Sequence, residues 1–597
     1  MSFVKINISL LLAAWALWLQ AVPARAVPLT TLHPGYTLMN LRPTSVMPDT
    51  AGVSGMDFLS DGRLVICTWS GGRTNTELAV PSRRGKVYIV SNVTGTNAAA
   101  ISFQTFATGL EEPLGLKVVN DSIYICEREQ LLRLVDTNND GTVDRKDTIA
   151  KAPGGTTRSE WFYGLEYKDG FFYCGFALAF INGGNILNPP PHANRGTLAK
   201  INKATGAIEY IAGGLRTPDG IGLNPDGEMF TTDNDGEWVP CDKFMNIKQG
   251  RFYGVHTTPA GLFDTPVTSP HDNSHTTPPA VWFPHGDVAL SPSQPLYINS
   301  GMYQGQFFVG DVVYGGIQRV FLEKVAGEYQ GCVFLFTQGL EAGVGRLAFG
   351  PDGNLYVGGL GAGTTPGDWF QTGKLKYGLQ KMTRNTASVF EMKSVKSRPQ
   401  GLEIEFFSEV DPVTAGQVAG YFVEKYGYTP TSAYGGNKES VTTLTVNSVQ
   451  VNADNKRVYL QINSGLQTNK VIHIRLNSTL KSATNQTPWT TEAWYTINAI
   501  GTAAPFSDPV TPIQETASPN SKASWSVSPA APGMLRIRSN FPAARAFVYN
   551  AKGALVGQTA FAGQGEKTVS LQGSKHGVYL VRLRAGSKQL ARTVVLP

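Results

Sequence analysis

The chain has 597 residues, 42% of them hydrophobic and only 16% charged, with 65 Gly and 29 Phe. That is enough apolar material for several cores, in a composition that suits a turn-rich, mostly β protein. The formal charge of +6 is small for this length, and the basic residues are scattered (the stretch from Arg536 to Arg592 is merely a basic segment), which excludes a nucleic-acid-binding stripe.

The first 26 residues read as a secretory signal: Lys5 gives the charged start, Ile8 to Leu19 the apolar run, and Ala24-Arg25-Ala26 a small-x-small cleavage site. No other apolar run approaches about 18 residues, so an exported chain with no transmembrane segment is expected. The 5 cysteines, Cys67, Cys126, Cys174, Cys241 and Cys332, are odd in number and widely spaced. They fit neither a disulfide framework nor a paired zinc or haem motif. Cys67, Cys126 and Cys174 fall in or just after successive strands, where a small buried residue is wanted.

From Leu64 onward one strand signature recurs. A turn residue leads into a three-residue apolar core: Gly62 into Leu64-Val65-Ile66, Asp121 into Ile123-Tyr124-Ile125, Gly170 into Phe172-Tyr173-Cys174. Gly227 then leads into Met229-Phe230-Thr231, Gly305 into Phe307-Phe308-Val309, and Gly353 into Leu355-Tyr356-Val357. Alternating strands precede five of these turns, at Met56/Phe58, Leu116/Val118, Leu165/Tyr167, Ile221/Leu223 and Leu347/Phe349; the fifth copy departs, with Leu296-Tyr297-Ile298 and a loop containing Gly301. Each unit is a hairpin, and the intervals between cores approach the length of one four-stranded propeller blade. A hairpin cannot bury both faces alone, so six in series imply radial stacking into a ring. The predicted fold is all-β: a six-bladed β-propeller over 27–392, its last outer strand supplied by Lys374-Leu375-Lys376-Tyr377-Gly378-Leu379 and the residues just after Leu379. Then the pattern changes. Leu402/Ile404/Phe406, Leu444/Val446, Val458/Leu460/Ile462 and Val471/His473/Arg475 alternate without the blade turn, which predicts an immunoglobulin-like β-sandwich over 393–500. A Pro/Ser/Thr/Ala-rich linker comes next over 501–530, and a small β-sandwich over 531–597.

Three groups of residues could carry chemistry. Asp136-x-Asn138-x-Asp140-Gly141-Thr142-x-Asp144-x-x-Asp147 has the oxygen ligands and the Gly of a calcium loop, with Thr142 at the carbonyl position and Asp where an EF-hand has Glu. An Asx-rich turn that binds nothing is the alternative. If it binds an ion, its place between outer strands makes it a structural site and not a catalytic one. The second group pairs Gly214-Leu215-Arg216-Thr217-Pro218-Asp219-Gly220 with Asp233-Asn234-Asp235-Gly236-Glu237-Trp238. Residues just before one propeller strand and just after the next share a rim, so these form a polar cup or, failing that, a solvated turn. The third group is looser: His285 as a base or a substrate ligand (or a satisfied surface His), Asp287 beside it as a ligand contact, and Trp69, Trp161, Trp238 and Trp369 as aromatic faces for a sugar ring or as core residues. His271 and His275 stand at i, i+4, but flanking prolines and threonines place them in a loop, not on a helix.

Two resemblances add to this reading. Phe547-Val548-Tyr549-Asn550-Ala551-Lys552-Gly553 with Gly577-Val578-Tyr579-Leu580-Val581-Arg582-Leu583 resembles the C-terminal sorting domain of type IX secretion substrates. This implies that the type IX machinery is a partner and that the protein is secreted or attached to the outer cell surface. The propeller resembles the glucose/sorbosone dehydrogenase-like family through Gly214–Pro218, Asn224-Pro225-Asp226-Gly227, Gly250-Arg251-Phe252-Tyr253-Gly254 and Gly350-Pro351-Asp352-Gly353. Better-known members use calcium and pyrroloquinoline quinone (PQQ) to oxidise sugars. Carried over, the resemblance implies that Arg216 sits over the quinone, that the Asp233, Asn234, Asp235 and Glu237 stretch holds the activating calcium, and that Arg346 grips a quinone carboxylate. Trp161, Trp238 and Asp287 would face a carbohydrate or other small alcohol. Where the family has its catalytic His, this chain has Thr157-Arg158-Ser159-Glu160-Trp161-Phe162-Tyr163-Gly164, with Glu160 as the substitute base. Tyr314-Gly315-Gly316 occupies the region of the family's Lys. These residues leave three functions open: a quinone-dependent sugar dehydrogenase, a non-catalytic carbohydrate- or protein-binding propeller, and a calcium-dependent lactonase built on Glu160, Asn234, Asp235 and Asp287.

Overall fold

The computed structural model describes residues 31–42, 51–69, 83–154, 160–180, 184–264, 273–361, 374–375, 377–462, 464–507, 525–531, 533–541, 544–550, 555–571, 577–585 and 588–596. The expected signal segment, His271, Trp369 and Lys552-Gly553 lie outside them.

The chain divides into two compact units, 1–507 and 508–597. In the first, the recurrent hairpins form six antiparallel blades. The innermost strands are Gly52–Phe58, Gly115–Val119, Phe162–Lys168, Ile221–Leu223, Pro292–Tyr297 and Val344–Phe349; the blades are numbered 1 to 6 in this order. Their neighbours are the apolar cores read from the sequence, Leu64–Trp69, Ser122–Glu127, Phe171–Phe176, Met229–Asp233, Phe307–Asp311 and Leu355–Leu360. The outer edge of blade 6 differs from expectation. Tyr377–Arg384 is its third strand, and the fourth is the N-terminal strand Tyr36–Asn40, paired from Tyr36↔Arg384 to Asn40↔Gln380. The chain's start thus clasps its last blade, a pairing between segments too far apart for any local pattern to reveal.

Blades meet through small residues. A Cβ on Gly115 would lie 2.4 Å from the Gly164 carbonyl oxygen of the next blade. The Cys126 thiol fills the same seam, donating to the Phe162 and Gly164 carbonyls, both at 3.3 Å. All five cysteines are free and buried, and burial pushes the Cys67 thiol up to about 11, so these are packing groups and not nucleophiles.

The second domain of this unit is not a bead on a linker. Glu328–Thr337, the last strand of blade 5, pairs with Glu492–Ile497 through Gly331↔Thr496, Cys332↔Tyr495 and Val333↔Trp494. One eight-stranded sheet therefore runs from the propeller into the sandwich. Its opposing sheet is Met392–Arg398, Gly401–Phe406, Arg457–Gln461 and Ser448–Val451. The core between them draws in Cys332 and Phe334 of blade 5 alongside Met392, Leu402, Ile404, Val458 and Ile474. Burying that many aliphatic side chains at roughly 1.5–3 kcal/mol each fixes the sandwich against the ring. The second unit is a smaller sandwich of a three- and a four-stranded sheet over 525–596, with Leu535, Ile537, Val548, Val581 and Leu583 at its centre.

Candidate functional site

Inner strands begin, and second strands end, on the same rim of the ring, as the Ile221↔Thr231 pairing shows for blade 4. Arg216, Asp219, Glu160, Trp161, Asp233 to Trp238 and His285 to Asp287 all belong to this rim. The 136–147 loop joins the third and fourth strands of blade 2, Gln130–Val135 and Arg145–Lys151, and so lies at the opposite rim.

The channel beneath the rim is closed. Arg346, 3% exposed, extends from blade 6 across the axis. Its Nε donates to Ser54 O of blade 1 (2.8 Å), its Nη2 to Leu114 O at the entry to blade 2 (2.7 Å), and its Nη1 to Gly345 O (2.7 Å) and Asp219 Oδ1 (3.0 Å) at the entry to blade 4. Asp219 is fully buried; burial raises its carboxyl pKa and the Arg346 charge opposes the rise. Leu114, whose carbonyl Arg346 holds, belongs to an apolar cluster with Trp69, Tyr163, Ala177, Val312 and Leu360, and Trp161 packs against it. Arg346 is thus a hub among blades, with four of its hydrogen bonds committed internally. It does not present a carboxylate grip to the rim.

Arg216 is also engaged. Its backbone N–H and that of Thr217 donate to the buried Asp233 carboxylate at 2.8 and 2.6 Å. Burial raises the Asp233 pKa, opposed by Lys243 and these two donors. The guanidinium lies between the rings of Phe180 (4.4 Å) and Tyr434 (5.2 Å) and donates to Thr217 Oγ1, the Gly184 carbonyl and the Tyr434 hydroxyl. Gly236 makes room for it: a Cβ there would sit 2.2 Å from Arg216 Nε.

Tyr434 comes from the sandwich. The segment between its strands Tyr421–Gly427 and Glu439–Thr443 lies over blade 4 as a strap. Trp238 N donates to Thr431 O (2.7 Å), Gly435 N to Gly236 O (3.0 Å) and Asn273 Nδ2 to Pro430 O (3.2 Å), while Lys438 pairs with Asp287. Trp238, expected as a sugar platform, is instead 8% exposed beneath this strap, its ring edge-on to His256 at 4.8 Å. Trp161 packs against the apolar cluster, with Trp69 at 6.2 Å and Phe180 at 6.1 Å. Glu160, the expected substitute base, is fully buried and held at 2.8 and 2.9 Å by His192 Nδ1. The charge on Asp287 is met by Lys438.

What the rim does offer is an acid–base cluster. His285 Nδ1 lies 2.9 Å from Asp242 Oδ2 and 3.6 Å from Asp235 Oδ1. Asp242 is fully buried, and its other oxygen accepts from Asp235 N (2.9 Å). Burial alone would lower the His285 pKa. The Asp242 hydrogen bond and the charges of Asp242 and Asp235 outweigh it and lift the imidazole to about 9. Burial, then the neighbouring Asp242, push Asp235 up to about 6, against the pull of His285 and Arg216. Behind them Asp311, raised by burial to about 7, accepts from the backbone N–H groups of Leu290, Ser291, Val313 and Tyr314. Asn234 donates to Ser291 Oγ (2.9 Å), and its own buried Oδ1 has no hydrogen-bond partner. Glu237 bridges to Tyr434 and accepts from Ile186 N (3.1 Å). Sequence reasoning found Asp235 and His285 but missed Asp242, which carries no local motif, and Tyr434, which lies about two hundred residues further on. Among the described residues two groups place three converging metal-ligand atoms together: Asp235, Asp242 and His285, and separately His256, Asp264 and His275.

At the opposite rim, Asp136 Oδ2 accepts from Gly141 N (2.8 Å), and its buried Oδ1 has no hydrogen-bond partner. Asn138 Oδ1 accepts from Asp140 N, and Asp140 Oδ1 from Thr142 N. Asp144 accepts from Thr137, and its pKa is lowered by that side-chain bond. The final expected ligand is placed elsewhere: Asp147 pairs with Arg133 and Arg145 at 2.8 and 2.7 Å.

Residues 51–274 match the family described as Domain of unknown function (DUF7133), and residues 529–597 match the secretion system C-terminal sorting domain. No curated protein matches the chain. Solved structures similar to it include the PQQ-bound aldose sugar dehydrogenase of Streptomyces coelicolor, at 15% identity over 59% of this chain and 100% of that one, TM-score 0.39. The Trichoderma reesei family AA12 carbohydrate-active enzyme gives 13%, 60%, 98% and 0.42. The PQQ domain of Coprinopsis cinerea pyranose dehydrogenase gives 11%, 60%, 98% and 0.40. These likenesses lie in propeller architecture, which the strand pairing establishes on its own. The class that the strand pairing defines is an all-β chain with a six-bladed propeller joined to a β-sandwich. More particularly, its terminal domain makes it a type IX secretion substrate, bound for the cell surface or the extracellular space.

Proposed function

We propose that this chain is a carbohydrate-binding propeller displayed outside the cell, with no PQQ site of the dehydrogenase kind. The observation that carries this reading is the commitment of both expected cations. Arg346 is enclosed with Asp219 inside the ring, and Arg216 lies under Tyr434. A tricarboxylate needs several available cations, so the residues present do not fit the quinone, and no redox step is assigned. The ligand face is composite. Tyr434, 45% exposed, offers an aromatic surface next to Asp235 and the half-exposed His285, and an apolar ring flanked by a few charged hydrogen-bonding groups is the usual makeup of a sugar site.

The test is binding of the purified full chain to an array of polysaccharides. Tyr434→Ala is expected to weaken the bound glycan about two- to tenfold, in line with ~0.5–1.5 kcal/mol for an aromatic contact. Absence of any saturable glycan binding, or equal binding by the variant, would count against the composite site. A second reading, a calcium-dependent lactonase, is favoured by one observation: His285 is oriented by buried Asp242 through Nδ1, so that its other nitrogen can take a proton from water once the ring titrates near 9. Lactone cleavage abolished by a chelator and by His285→Gln would select it.

The 136–147 loop is inferred to hold a structural calcium through Asp136, Asn138, Asp140, the Thr142 carbonyl and Asp144, with Asp147 staying on its two arginines. The partnerless Asp136 Oδ1 supports this. Cleavage after Ala26 and an immunoglobulin-like class for the sandwich belong to the same proposal.

A further inference from the structure

The longest interval between blade cores, from Met229 to Phe307, contains the excursion after Asp242–Ile247. This excursion builds a second donor set. His256 Nδ1 lies 3.1 and 3.0 Å from the two oxygens of Asp264, and His275 Nε2 lies 3.0 Å from Asp264 Oδ1. The side chains of His256 and Asp264 are wholly buried, whereas that of His275 is 23% exposed. Phe252 stacks on His275 at 5.1 Å and tilts over His256 at 4.9 Å, and Trp238 meets His256 edge-on, so aromatic rings wall the group.

The tautomer of His256 is set from outside. Asn273 Nδ2 donates to Pro430 O of the strap at 3.2 Å, which orients the amide so that Oδ1 faces His256 Nε2 at 3.3 Å. Nε2 therefore carries a proton, and in the neutral ring the Nδ1 lone pair points at a carboxylate. Two electron-rich groups so placed repel one another unless a cation lies between them. A ring nitrogen fixed by an amide oxygen while the other faces an anionic donor is the usual environment of a metal-binding histidine.

We propose that His256 Nδ1, the Asp264 carboxylate and His275 Nε2 bind a divalent transition-metal ion of the zinc class, with Asn273 as the positioning residue for His256. Two imidazoles and one carboxylate suit a borderline ion; calcium and magnesium prefer all-oxygen sets. Both ring nitrogens lie 3.0 Å from Asp264 and all three donors lie within 4.8 Å of one another, close to the ~3.4 Å between tetrahedral ligands of an ion at about 2.0–2.2 Å. Three protein ligands leave one position open, and His275 places it toward solvent. Of the two histidines at i, i+4 read from sequence, His275 faces Asp264, and His271 lies outside the described residues.

The experiment uses the full chain, stripped with a chelator and titrated with zinc chloride by calorimetry, and in parallel loaded with Co2+ for visible absorption. One zinc ion per chain is expected, and Ca2+, which the 136–147 loop would take, is not expected to compete with it. Asn273→Ala is expected to weaken zinc about tenfold and His275→Ala about a hundredfold, the span known for perturbed metal sites. The cobalt visible band is expected to disappear in His275→Ala, a partly exposed position whose melting curve shows that the variant folds. No saturable zinc heat in the wild type would overturn the proposal in favour of a doubly protonated His256 in a buried ion pair. A zinc isotherm and cobalt band unchanged in both variants would overturn it in favour of an adventitious surface site.

Discussion

Replacing Arg346 by Met removes the charge at the ring's centre while keeping most of the side-chain volume. The substitution strands Asp219, a fully buried carboxylate, and removes the guanidinium donors to the Ser54 and Leu114 carbonyls, the second of which keeps the Gly164 N–H at 3.3 Å. Breaking a buried pair from one side costs about 3–5 kcal/mol. At about 2.1 cal/mol/K per residue, a unit of roughly 480 residues has an unfolding entropy near 1 kcal/mol/K, so the melting temperature of Arg346→Met is expected to fall by about 3–5 °C. The double variant Arg346→Met/Asp219→Leu removes the stranded charge and is expected to recover most of that loss. Differential scanning calorimetry on the three proteins decides the matter. A single variant melting within about 1 °C of wild type, or a double variant no more stable than the single, would refute the view of Arg346 as the hub that ties four blades together.

The His285 cluster makes a pH prediction. A histidine whose folded pKa of about 9 exceeds the ordinary 6.5 contributes stability that is complete below about pH 6.5 and lost as pH rises through 9. Asp235 and Asp311, with carboxyl pKa values raised to about 6 and 7, titrate mostly below this range. Against burial, His473 is also raised by Glu424 and Glu492, so the difference between wild type and His285→Gln from pH 7 to 9 is what isolates His285. In denaturant titrations the wild type is expected to weaken across that range more steeply than His285→Gln; parallel slopes would show that Asp242 does not hold an imidazolium. Calcium at about a hundred times its dissociation constant stabilises a folded protein by about 2.7 kcal/mol, which here raises the melting temperature by about 2–3 °C. Asp136→Ala is expected to abolish that shift, and a shift that survives places the ion elsewhere.

Much of the propeller was legible because each blade announces itself locally: Gly62, Gly170, Gly227 and Gly353 each take the positive φ that the hairpin turn requires, and the apolar triplet comes directly after. The alternation at Leu402/Ile404/Phe406 likewise lies in the sandwich core. What stayed hidden depends on contacts between distant segments. The Tyr36–Asn40 clasp and the strand linking blade 5 to the sandwich are pairings across hundreds of residues. The site divides in the same way. Asp235 and His285 stand out by residue type, but the roles of their neighbours arise from placement: Asp242 by facing His285, Tyr434 by arriving on a strap from another domain, Arg346 by crossing the channel. A resemblance in sequence motif carried Arg216 to the rim, yet no motif records what covers it there.

The claim that the rim lacks a quinone site is tested most directly by titrating the full chain with PQQ and Ca2+ while following protein fluorescence, then adding aldose sugars with an artificial electron acceptor. The committed Arg216 and Arg346 predict no saturable quenching and no turnover. Stoichiometric PQQ binding with sugar oxidation that disappears in Arg216→Ala would contradict it.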